Sequence, residues 1–472
     1  MVVGDFTTTV ETMIIGGGPG GYVAAIRAAQ LGQEVALVEK QHVGGMCLNW
    51  GCIPSKALIE VSGLKQIMER AGEMGLTVSG LTLDMQQLLS WKNGIVEKLR
   101  GGIDQLLQKN GVEVINGTAT FSAPGEMLID TRDGLRRYEF DNAIIATGSR
   151  PMELPNLPFD GDVVLNAAHA LELSEVPEHL VVVGAGSVGL ELGLVYAKLG
   201  SRVTIVEAQP ELLPQLEPEL RRILKRALKQ NNIDLRLGTT VESVFRNGAT
   251  AEVKLKKEKH LDAVSTSKIL VAIGHRPTTA ELGLDTLGLA TDERGFISVN
   301  DQLQTDVKHV YAIGDVVAGP LLAHRASHMG KIAAEVISGR KSAFDNLAVP
   351  SVIFSDPEIA TVGLTQYQAE QAGYRVKIGV FPFKALGRAL TLGEANGVTK
   401  IISDTETGTV LGVHIIGAHA SDLIAEGALA VETAAHIEDL TLTIHAHPTL
   451  AEGINEAAEA VEQKAIHIFQ AA

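Results

Sequence analysis

The chain is long, acidic and poor in aromatic residues. It has 472 residues, of which 45% are hydrophobic, 20% charged and 4% aromatic, and its formal net charge is −16. At about 100–200 residues per domain, this length predicts two to four domains. Its negative charge would repel a phosphate backbone, so nucleic acid is not expected as a partner. A basic protein partner would be attracted, and a charge that serves only solubility is the alternative.

The sequence also argues against a membrane protein. Residues 1–12 lack a basic segment followed by an apolar one, so no signal peptide is expected. No apolar run reaches the ~18 residues of a transmembrane helix. We therefore expect a cytoplasmic protein, and in that compartment a disulfide is usually catalytic or redox-sensing.

Two segments of the chain repeat one pattern. Residues 12–40 and 180–208 each contain an apolar strand, a G-x-G-x-x-G turn, a helical stretch, a second strand, and a glutamate 23 residues after the first glycine. The repeated residues are Gly16, Gly18, Gly21 and Glu39 in the first copy, and Gly184, Gly186, Gly189 and Glu207 in the second.

This pattern is typical of dinucleotide-binding domains. The first glycine permits a tight turn, the second lets backbone approach a pyrophosphate, and the third lets helix pack on strand. The helix N-terminus offers free N–H groups to phosphate, and the glutamate accepts a hydrogen bond from a ribose hydroxyl. Because the whole frame occurs twice, two sites are a better interpretation than two chance glycine turns.

The residues after the second copy indicate which nicotinamide cofactor binds. A carboxylate at Glu207 would repel the 2′-phosphate of NADP. No arginine or lysine follows before Arg221. The sequence therefore predicts NAD at the second site.

Both cysteines of the chain, Cys47 and Cys52, lie in the segment GGMCLNWGCIPSK. A structural zinc site needs four ligands, but only the isolated His42 lies nearby, so no metal site is expected. Two inert buried thiols and a redox-active disulfide are the remaining interpretations. The compartment and the close spacing favour the redox-active disulfide.

A disulfide at this spacing requires a distorted backbone. Five residues of ideal helix rise about 7.5 Å, whereas bridged Cα atoms lie within about 7 Å. Gly51 and Pro54 permit the distortion. Lys56 lies one helical turn after Cys52, where its ammonium would stabilise a thiolate or a reduced, anionic cofactor; an exposed helical lysine is the alternative.

Two later segments carry further candidates. An apolar strand ends at Asp315, which places a carboxylate where α/β proteins bind ligands; a helix N-cap is the alternative. His447 and Glu452 are five residues apart, and a glutamate bound to one imidazole nitrogen raises the basicity of the other. A structural role for a histidine before proline is the alternative. His445 shows no such partner and is expected only to pack.

Taken together, these residues resemble the flavoprotein disulfide reductases, and among them the dihydrolipoamide dehydrogenases. The segments GGMCLNWGCIPSKAL, AIIATGSRP, YAIGDV, LAH and LTIHAHPTLAE occur in the family's order over nearly the whole chain. The resemblance implies an α/β fold with two Rossmann-like dinucleotide-binding domains and a C-terminal α+β dimerisation domain. The implied boundaries are 1–149 for an FAD-binding domain, 150–278 for an NAD-binding domain, 279–349 for a central domain completing the FAD site, and 350–472 for an interface domain.

The resemblance also assigns cofactor residues beyond the repeats. The FAD site would hold the first repeat's residues together with Lys40, Gly45, Lys56, Ala119, Gly148, Asp315 and Ala323. The NAD site would hold the second repeat's residues together with Val241 and Gly274.

The resemblance implies a reaction as well. Cys47 would be the interchange sulfur and Cys52 the charge-transfer sulfur, with Glu191 close to Lys56. His447, supported by Glu452, would serve the active site of the opposite subunit, so the chain would be a homodimer. The implied activity is oxidation of protein-bound dihydrolipoamide with reduction of NAD+. The implied partners are the peripheral subunit-binding domain and the lipoyl domain of a 2-oxo-acid dehydrogenase acyltransferase core.

Two departures and three alternatives remain open. Met46 and Trp50 replace smaller residues of the family, so they bear on substrate fit. A glutathione reductase-like enzyme would need basic residues after Glu207, and a mercuric-type reductase would need a cysteine pair in the C-terminal segment, which has none. A non-catalytic subunit that holds FAD structurally is the third alternative.

Overall fold

The computed structural model describes residues 7–155, 157–248 and 250–470. The first six residues of the expected FAD-binding domain and the last two of the expected interface domain lie outside the described residues. Among the helices of the described part, none combines the length and the apolar character that crossing a membrane requires.

Strands and helices alternate at each glycine repeat, as β1-α1-β2 and β8-α6-β9, which is expected for α/β domains. The strands are β1 Thr7–Ile15, β2 Val35–Glu39, β3 Glu113–Ala123, β4 Glu126–Thr131, β5 Gly134–Ile145, β6 Ser149–Pro151, β7 Val164–Leu165, β8 His179–Val183, β9 Arg202–Glu207, β10 Asp234–Leu237, β11 Thr240–Asn247, β12 Thr250–Lys257, β13 His260–Thr266, β14 Lys268–Val271, β15 His275–Pro277, β16 Val310–Ala312, β17 Ser351–Ile353, β18 Ile359–Gly363, β19 Val376–Pro382, β20 Val398–Asp404 and β21 Val410–Ile416.

Thirteen α-helices accompany these strands in the described residues. They are α1 Pro19–Gln30, α2 Gly45–Trp50, α3 Cys52–Arg70, α4 Met85–Lys109, α5 Ala167–Ala170, α6 Ser187–Leu199, α7 Pro218–Gln230, α8 Ala323–Ile337, α9 Gln366–Gln371, α10 Gly387–Leu392, α11 Ala420–Glu432, α12 Ile437–Leu442 and α13 Glu452–Val461. Short 3₁₀ helices occupy Ala71–Met74, Leu284–Leu287, Gly314–Val316 and Phe383–Ala385.

The first sheet surrounds the first glycine repeat. Its parallel part runs in the order β3-β2-β1-β5-β16, and β4 joins β3 and β5 antiparallel. Helix α1 packs closely on α8. The absence of a side chain at Gly330 permits this approach, since a side-chain carbon there would collide with the carbonyl oxygen of Gly20. Strand β16 therefore brings the segment before α8 into the sheet that begins with β1.

The second sheet surrounds the second repeat. It runs β10-β9-β8-β14-β7, with every pair parallel. An antiparallel meander β11-β12-β13 lies between β10 and β14 in the chain. The chain enters and leaves this unit through β6 and β15, which pair with each other antiparallel. Both connecting strands belong to Gly-x-Arg-Pro segments, Gly148–Pro151 and Gly274–Pro277.

The C-terminal unit is an antiparallel sheet of order β17-β18-β21-β20-β19, and α11 and α13 pack on it. Gly427 lets α11 approach β21 closely, since a side-chain carbon there would lie 2.8 Å from Cβ of Val413. Two parallel dinucleotide-type sheets followed by an α+β unit confirm the predicted fold class.

Candidate active site

The two cysteines form a disulfide between two helices. Helix α2 ends at Trp50 and α3 begins at Cys52, so the helical path is interrupted at Gly51, where φ is −139° and ψ is −103°. The interruption brings the Cα atoms of Cys47 and Cys52 to 4.6 Å. A side-chain carbon at Gly51 would lie 3.0 Å from the carbonyl oxygen of Met46. The structure thus shows the distortion at Gly51 that the spacing predicts.

Lys56 is not a solvated helical lysine. Its Nζ lies 2.8 Å from Oε2 of Glu191 on α6 and 4.3 Å from the ring centroid of Phe354. The second oxygen of Glu191 accepts a hydrogen bond of 2.9 Å from the backbone N–H of Phe354. Glu191 is buried. Lys56 on α3, Glu191 on α6 and Phe354 after β17 thus join the units of the first, second and C-terminal sheets one helical turn from Cys52. Glu191 lies beside Lys56, as the resemblance implies.

His447 and Glu452 also meet. Nδ1 of His447 lies 2.7 Å from Oε1 of Glu452, and Oε2 accepts a hydrogen bond of 2.8 Å from the backbone N–H of Thr449. Burial acts to raise the pKa of Glu452, but the Thr449 N–H and His447 hold that pKa below its ordinary range. The His447 side chain is 76% exposed. Within the described part of one chain, no hydrogen bond or ion pair connects it to the disulfide.

The expectation that His445 has no acidic partner is wrong. Its Nε2 lies 2.8 Å from Oε1 of Glu426 on α11, and its Nδ1 lies 2.9 Å from the carbonyl oxygen of Thr443. The partner is 19 residues earlier in the chain. Packing between elements brings the two together, so local spacing contains no signal for this pair.

The first glycine repeat forms a loop that side chains would fill. Gly16 has φ of +101°, and a side-chain carbon there would collide with the carbonyl oxygen of Ala146. The Glu39 carboxylate closes the loop by accepting hydrogen bonds of 2.7 Å from the backbone N–H groups of Gly17 and Gln41. Each carboxylate oxygen retains a lone pair for a ribose hydroxyl.

The second repeat has the same arrangement. Gly184 has φ of +103°, and a side-chain carbon there would collide with the carbonyl oxygen of Ala272. The Glu207 carboxylate accepts hydrogen bonds of 2.8 Å from the backbone N–H groups of Ala185 and Gln209. The two loops are equivalent in geometry as well as in sequence.

Both loops suit a pyrophosphate. Helices α1 and α6 begin at glycine N-caps, Gly18 and Gly186, and neither N-cap has a side-chain acceptor. Their first N–H groups are therefore open to an anion. Gly45 lies against the first loop, since a side-chain carbon there would be 2.6 Å from Cα of Gly18. The residues of both loops fit the pyrophosphate of a dinucleotide cofactor.

Asp315 belongs to a polar chain that the sequence did not predict. Its Oδ2 accepts a hydrogen bond of 2.7 Å from Oγ of Ser149, and that hydroxyl lies 3.2 Å from Nδ1 of His275. Burial lowers the pKa of His275, although Asp315 acts in the opposite direction. Helix α8 has Leu322 as its N-cap, so the alternative that Asp315 caps that helix does not apply. These hydrogen bonds instead link Asp315 to both connecting strands, β6 and β15.

The remaining predicted residues lie near these loops or in strands. Gly21 and Gly189 are buried where α1 and α6 cross their own loops, and a side-chain carbon at either would collide with a loop carbonyl oxygen. The others are Lys40 directly after β2, Ala119 in β3, Gly148 before β6, Val241 in β11, Gly274 before β15 and Ala323 at the start of α8. Of the two departures from the family pattern, Met46 is exposed, and Trp50 packs on His42 with ring centroids 5.9 Å apart.

Comparison with known proteins decides the class of enzyme. The family model described as pyridine nucleotide-disulphide oxidoreductase matches residues 10–330, and the model of that family's dimerisation domain matches residues 349–458. The chain belongs to the pyridine nucleotide-disulphide oxidoreductases. The dimerisation domain supports the expected homodimer.

Full-length relatives narrow this class. The chain is 46% identical to the dihydrolipoyl dehydrogenase of Geobacillus stearothermophilus over 99% of this chain and 100% of the relative. Among solved structures, LpdA of Mycobacterium tuberculosis superposes with a TM-score of 0.90 at 29% identity, covering 95% of this chain and 99% of LpdA. The HOCl-induced flavoprotein disulfide reductase RclA of Escherichia coli gives a TM-score of 0.86 at 26% identity, covering 96% and 99%. Membership of this family confirms the predicted oxidoreductase, with FAD and NAD as its cofactors.

Proposed function

We propose that this pyridine nucleotide-disulphide oxidoreductase is a dihydrolipoyl dehydrogenase that oxidises protein-bound dihydrolipoamide and reduces NAD+. The observation that carries the proposal is the Cys47–Cys52 disulfide one helical turn from a lysine that is itself paired with a buried glutamate. Relatives that cover the full chain at 42–46% identity bear this name. The two-cysteine segment is compatible with a glutathione-type or a mercuric-type substrate as well. The relatives favour dihydrolipoamide over both.

The proposed dithiol chemistry begins with a proton transfer. With its Nδ1 held by Glu452, His447 presents Nε2 as the base that removes a proton from one thiol of the substrate. The resulting thiolate attacks Sγ of Cys47, the Cys47–Cys52 bond breaks, and Cys52 leaves as a thiolate. The second substrate thiol then attacks the substrate sulfur of this mixed disulfide, and its proton passes to Cys47, which leaves as a thiol. The substrate is now the oxidised cyclic disulfide, and its electron pair resides on the two cysteines.

The exposed position of His447 supports its service to the opposite subunit. In one chain the imidazole faces solvent rather than the disulfide, and the C-terminal unit matches a dimerisation domain. We infer that each active site combines the cysteines of one subunit with His447 of its partner.

Lys56 is assigned to charge balance. Lys56 lies one helical turn after Cys52 on α3, where its ammonium would stabilise the thiolate formed at Cys52. Glu191 holds this ammonium in place. Bound FAD would accept the electron pair from the dithiol and supply it to NAD+. The loops of Gly16 and Gly184, with Glu39 and Glu207, would hold the ADP portions of these two cofactors.

The proposed partner is an acyltransferase core of a 2-oxo-acid dehydrogenase complex, met through its peripheral subunit-binding domain and lipoyl domain. A net charge of −16 favours docking to a small basic domain. Such binding should weaken as salt is added; binding that does not depend on ionic strength would contradict electrostatic docking. The proposed location is the cytoplasm.

The test is turnover of dihydrolipoamide with NAD+, followed by NADH absorbance, for the wild type and Cys52→Ser. We expect NADH from the wild type and almost none from the variant. Glutathione disulfide with NADPH serves as the control reaction and should be slow. A wild type that binds FAD but does not oxidise dihydrolipoamide would refute the substrate assignment, and Trp50→Val would then test the residue that departs most from the family pattern.

A further inference from the structure

The loop that carries His447 is exposed along most of its length. It connects α12 to α13, and every side chain from position 442 to position 448 is exposed except that of His445. Ile444 is 97% exposed and His447 is 76% exposed, whereas the side chain of His445 is only 8% exposed. Between positions 442 and 448, His445 is therefore the single inward-facing side chain, two residues from the proposed base.

Both nitrogens of that side chain are occupied. Nδ1 of His445 faces the carbonyl oxygen of Thr443 at 2.9 Å, within the loop. Nε2 faces Oε1 of Glu426 at 2.8 Å, outside the loop. The first contact shapes the turn, and the second ties the turn to α11.

Helix α11 is a firm support for this tie. It buries Ala420, Ile424 and Ala430 in the core of the C-terminal unit. Gly427, beside Glu426, brings the helix close against β21. A carboxylate on such a helix holds its partner more rigidly than one on a loop would.

The other side-chain contacts at the apex of the loop, residues 443–449, do not reach α11. Thr449 donates through Oγ1 to the carbonyl of Ala446 at 2.7 Å, and Glu452 is bound to His447 and Thr449. Thr443 also donates through Oγ1 to the carbonyl of Asp439 on α12 at 2.7 Å. Outside the loop, these contacts reach only α12 and α13, the two helices that the loop itself connects.

We propose that His445, held by Glu426, is a positioning residue for His447. This inference rests on the proposed function, because it takes His447 as the base of the dithiol reaction. Without the tie to α11, residues 443–449 are held only by side-chain contacts to α12 and α13, the helices that the loop connects. A misplacement of about 1 Å lowers a rate by roughly 100-fold, so the thiol reaction should fall while reactions that do not need His447 should not.

The test compares Glu426→Ala, His445→Ala and the double variant as FAD-loaded enzyme. We expect each single variant to lower kcat for dihydrolipoamide by about 10- to 100-fold, and the double variant to be no slower than the slower single variant, because one contact is removed in all three. Oxidation of NADH by ferricyanide requires no thiol deprotonation and should stay within about twofold of the wild type. His419→Ala is the matched control: it removes an exposed histidine at the N-cap of α11, whose Nδ1 lies 3.7 Å from Oδ2 of Asp422.

A second readout does not depend on activity. Hydrogen exchange of the peptide spanning residues 443–449 should be faster in Glu426→Ala than in the wild type, and unchanged in His419→Ala. Equal exchange in Glu426→Ala and the wild type would overturn the proposal, as would a parallel fall of the dithiol and ferricyanide reactions. A wild type inactive toward dihydrolipoamide would refute the proposed function, and the exchange result would still decide whether Glu426 positions the loop.

Discussion

Lys400 and Glu217 form a buried ion pair between two units of the chain. Nζ of Lys400, on β20, lies 2.6 Å from Oε2 of Glu217, which directly precedes α7. Their side chains are 1% and 2% exposed. Glu217 also accepts a hydrogen bond of 2.6 Å from the backbone N–H of Gln366. Replacing Lys400 with methionine would leave the Glu217 charge buried with that single amide as its described donor.

We expect Lys400→Met to lower the free energy of unfolding by about 3–5 kcal/mol, the usual cost of removing one partner of a buried pair. Adding Glu217→Gln removes the charge and keeps an acceptor for the Gln366 amide. The double variant should therefore recover most of the loss and stay within ~2 kcal/mol of the wild type. The recovery distinguishes an unpaired charge from a packing defect, because a defect at Lys400 would persist in both variants.

The assay is guanidinium unfolding of the FAD-loaded enzyme at one protein and one FAD concentration, because dimerisation and cofactor binding both shift the midpoint. Lys225→Met is the control. Nζ of Lys225, on α7, lies 2.9 Å from Oε2 of Glu211, and these side chains are 37% and 53% exposed. Exposed pairs contribute ~0–1 kcal/mol, so this midpoint should barely move. A double variant as unstable as Lys400→Met would refute the reasoning.

Two further predictions concern single positions. In Gly184→Ala the added carbon meets the Ala272 carbonyl at a φ of +103°, so the loop must shift from the position that binds the pyrophosphate. The apparent KM for NAD+ should rise by roughly 5- to 30-fold, the factor that ~1–2 kcal/mol gives. Gly200→Ala, at φ of +117° in open space, should leave this KM within about twofold; equal effects in both variants would contradict a role for the collision. Separately, the Glu456 carboxylate raises the pKa of His467 above its ordinary value of 6.5. This pair stabilises the fold fully below pH 6.5 and loses its contribution as pH rises through the raised pKa. Denaturation of His467→Gln should therefore show a deficit at pH 6 that disappears at high pH, and a constant deficit would contradict the assignment.

The sequence predicted those features whose cause is local. The loops of Gly16 and Gly184 need no information beyond about 25 residues of chain, because turn, helix and glutamate all follow one strand. The break at Gly51 is also local, since two cysteines five residues apart cannot be bridged on an unbroken helix. For such features, spacing and backbone geometry are sufficient.

Features that depend on packing between elements were not accessible in this way. Glu426 reaches His445 from another helix, and Ser149 joins His275 to Asp315 across the two connecting strands. Each partner is an ordinary polar residue in its own segment. The resemblance to a family placed Glu191 near Lys56, but it contains no such information for pairs outside the family's motifs.

The topology of the first sheet has a consequence for synthesis on the ribosome. Strand β16 completes that sheet by pairing with β5, yet about 165 residues separate the end of β5 from the start of β16. At roughly 5–20 residues per second, the nascent chain waits on the order of 10–30 s for its last parallel strand. All strands of the second sheet emerge during this interval. The β16-facing edge of Ala143–Ile145, at the end of β5, meanwhile stays unpaired. An open edge is a template for association with other chains.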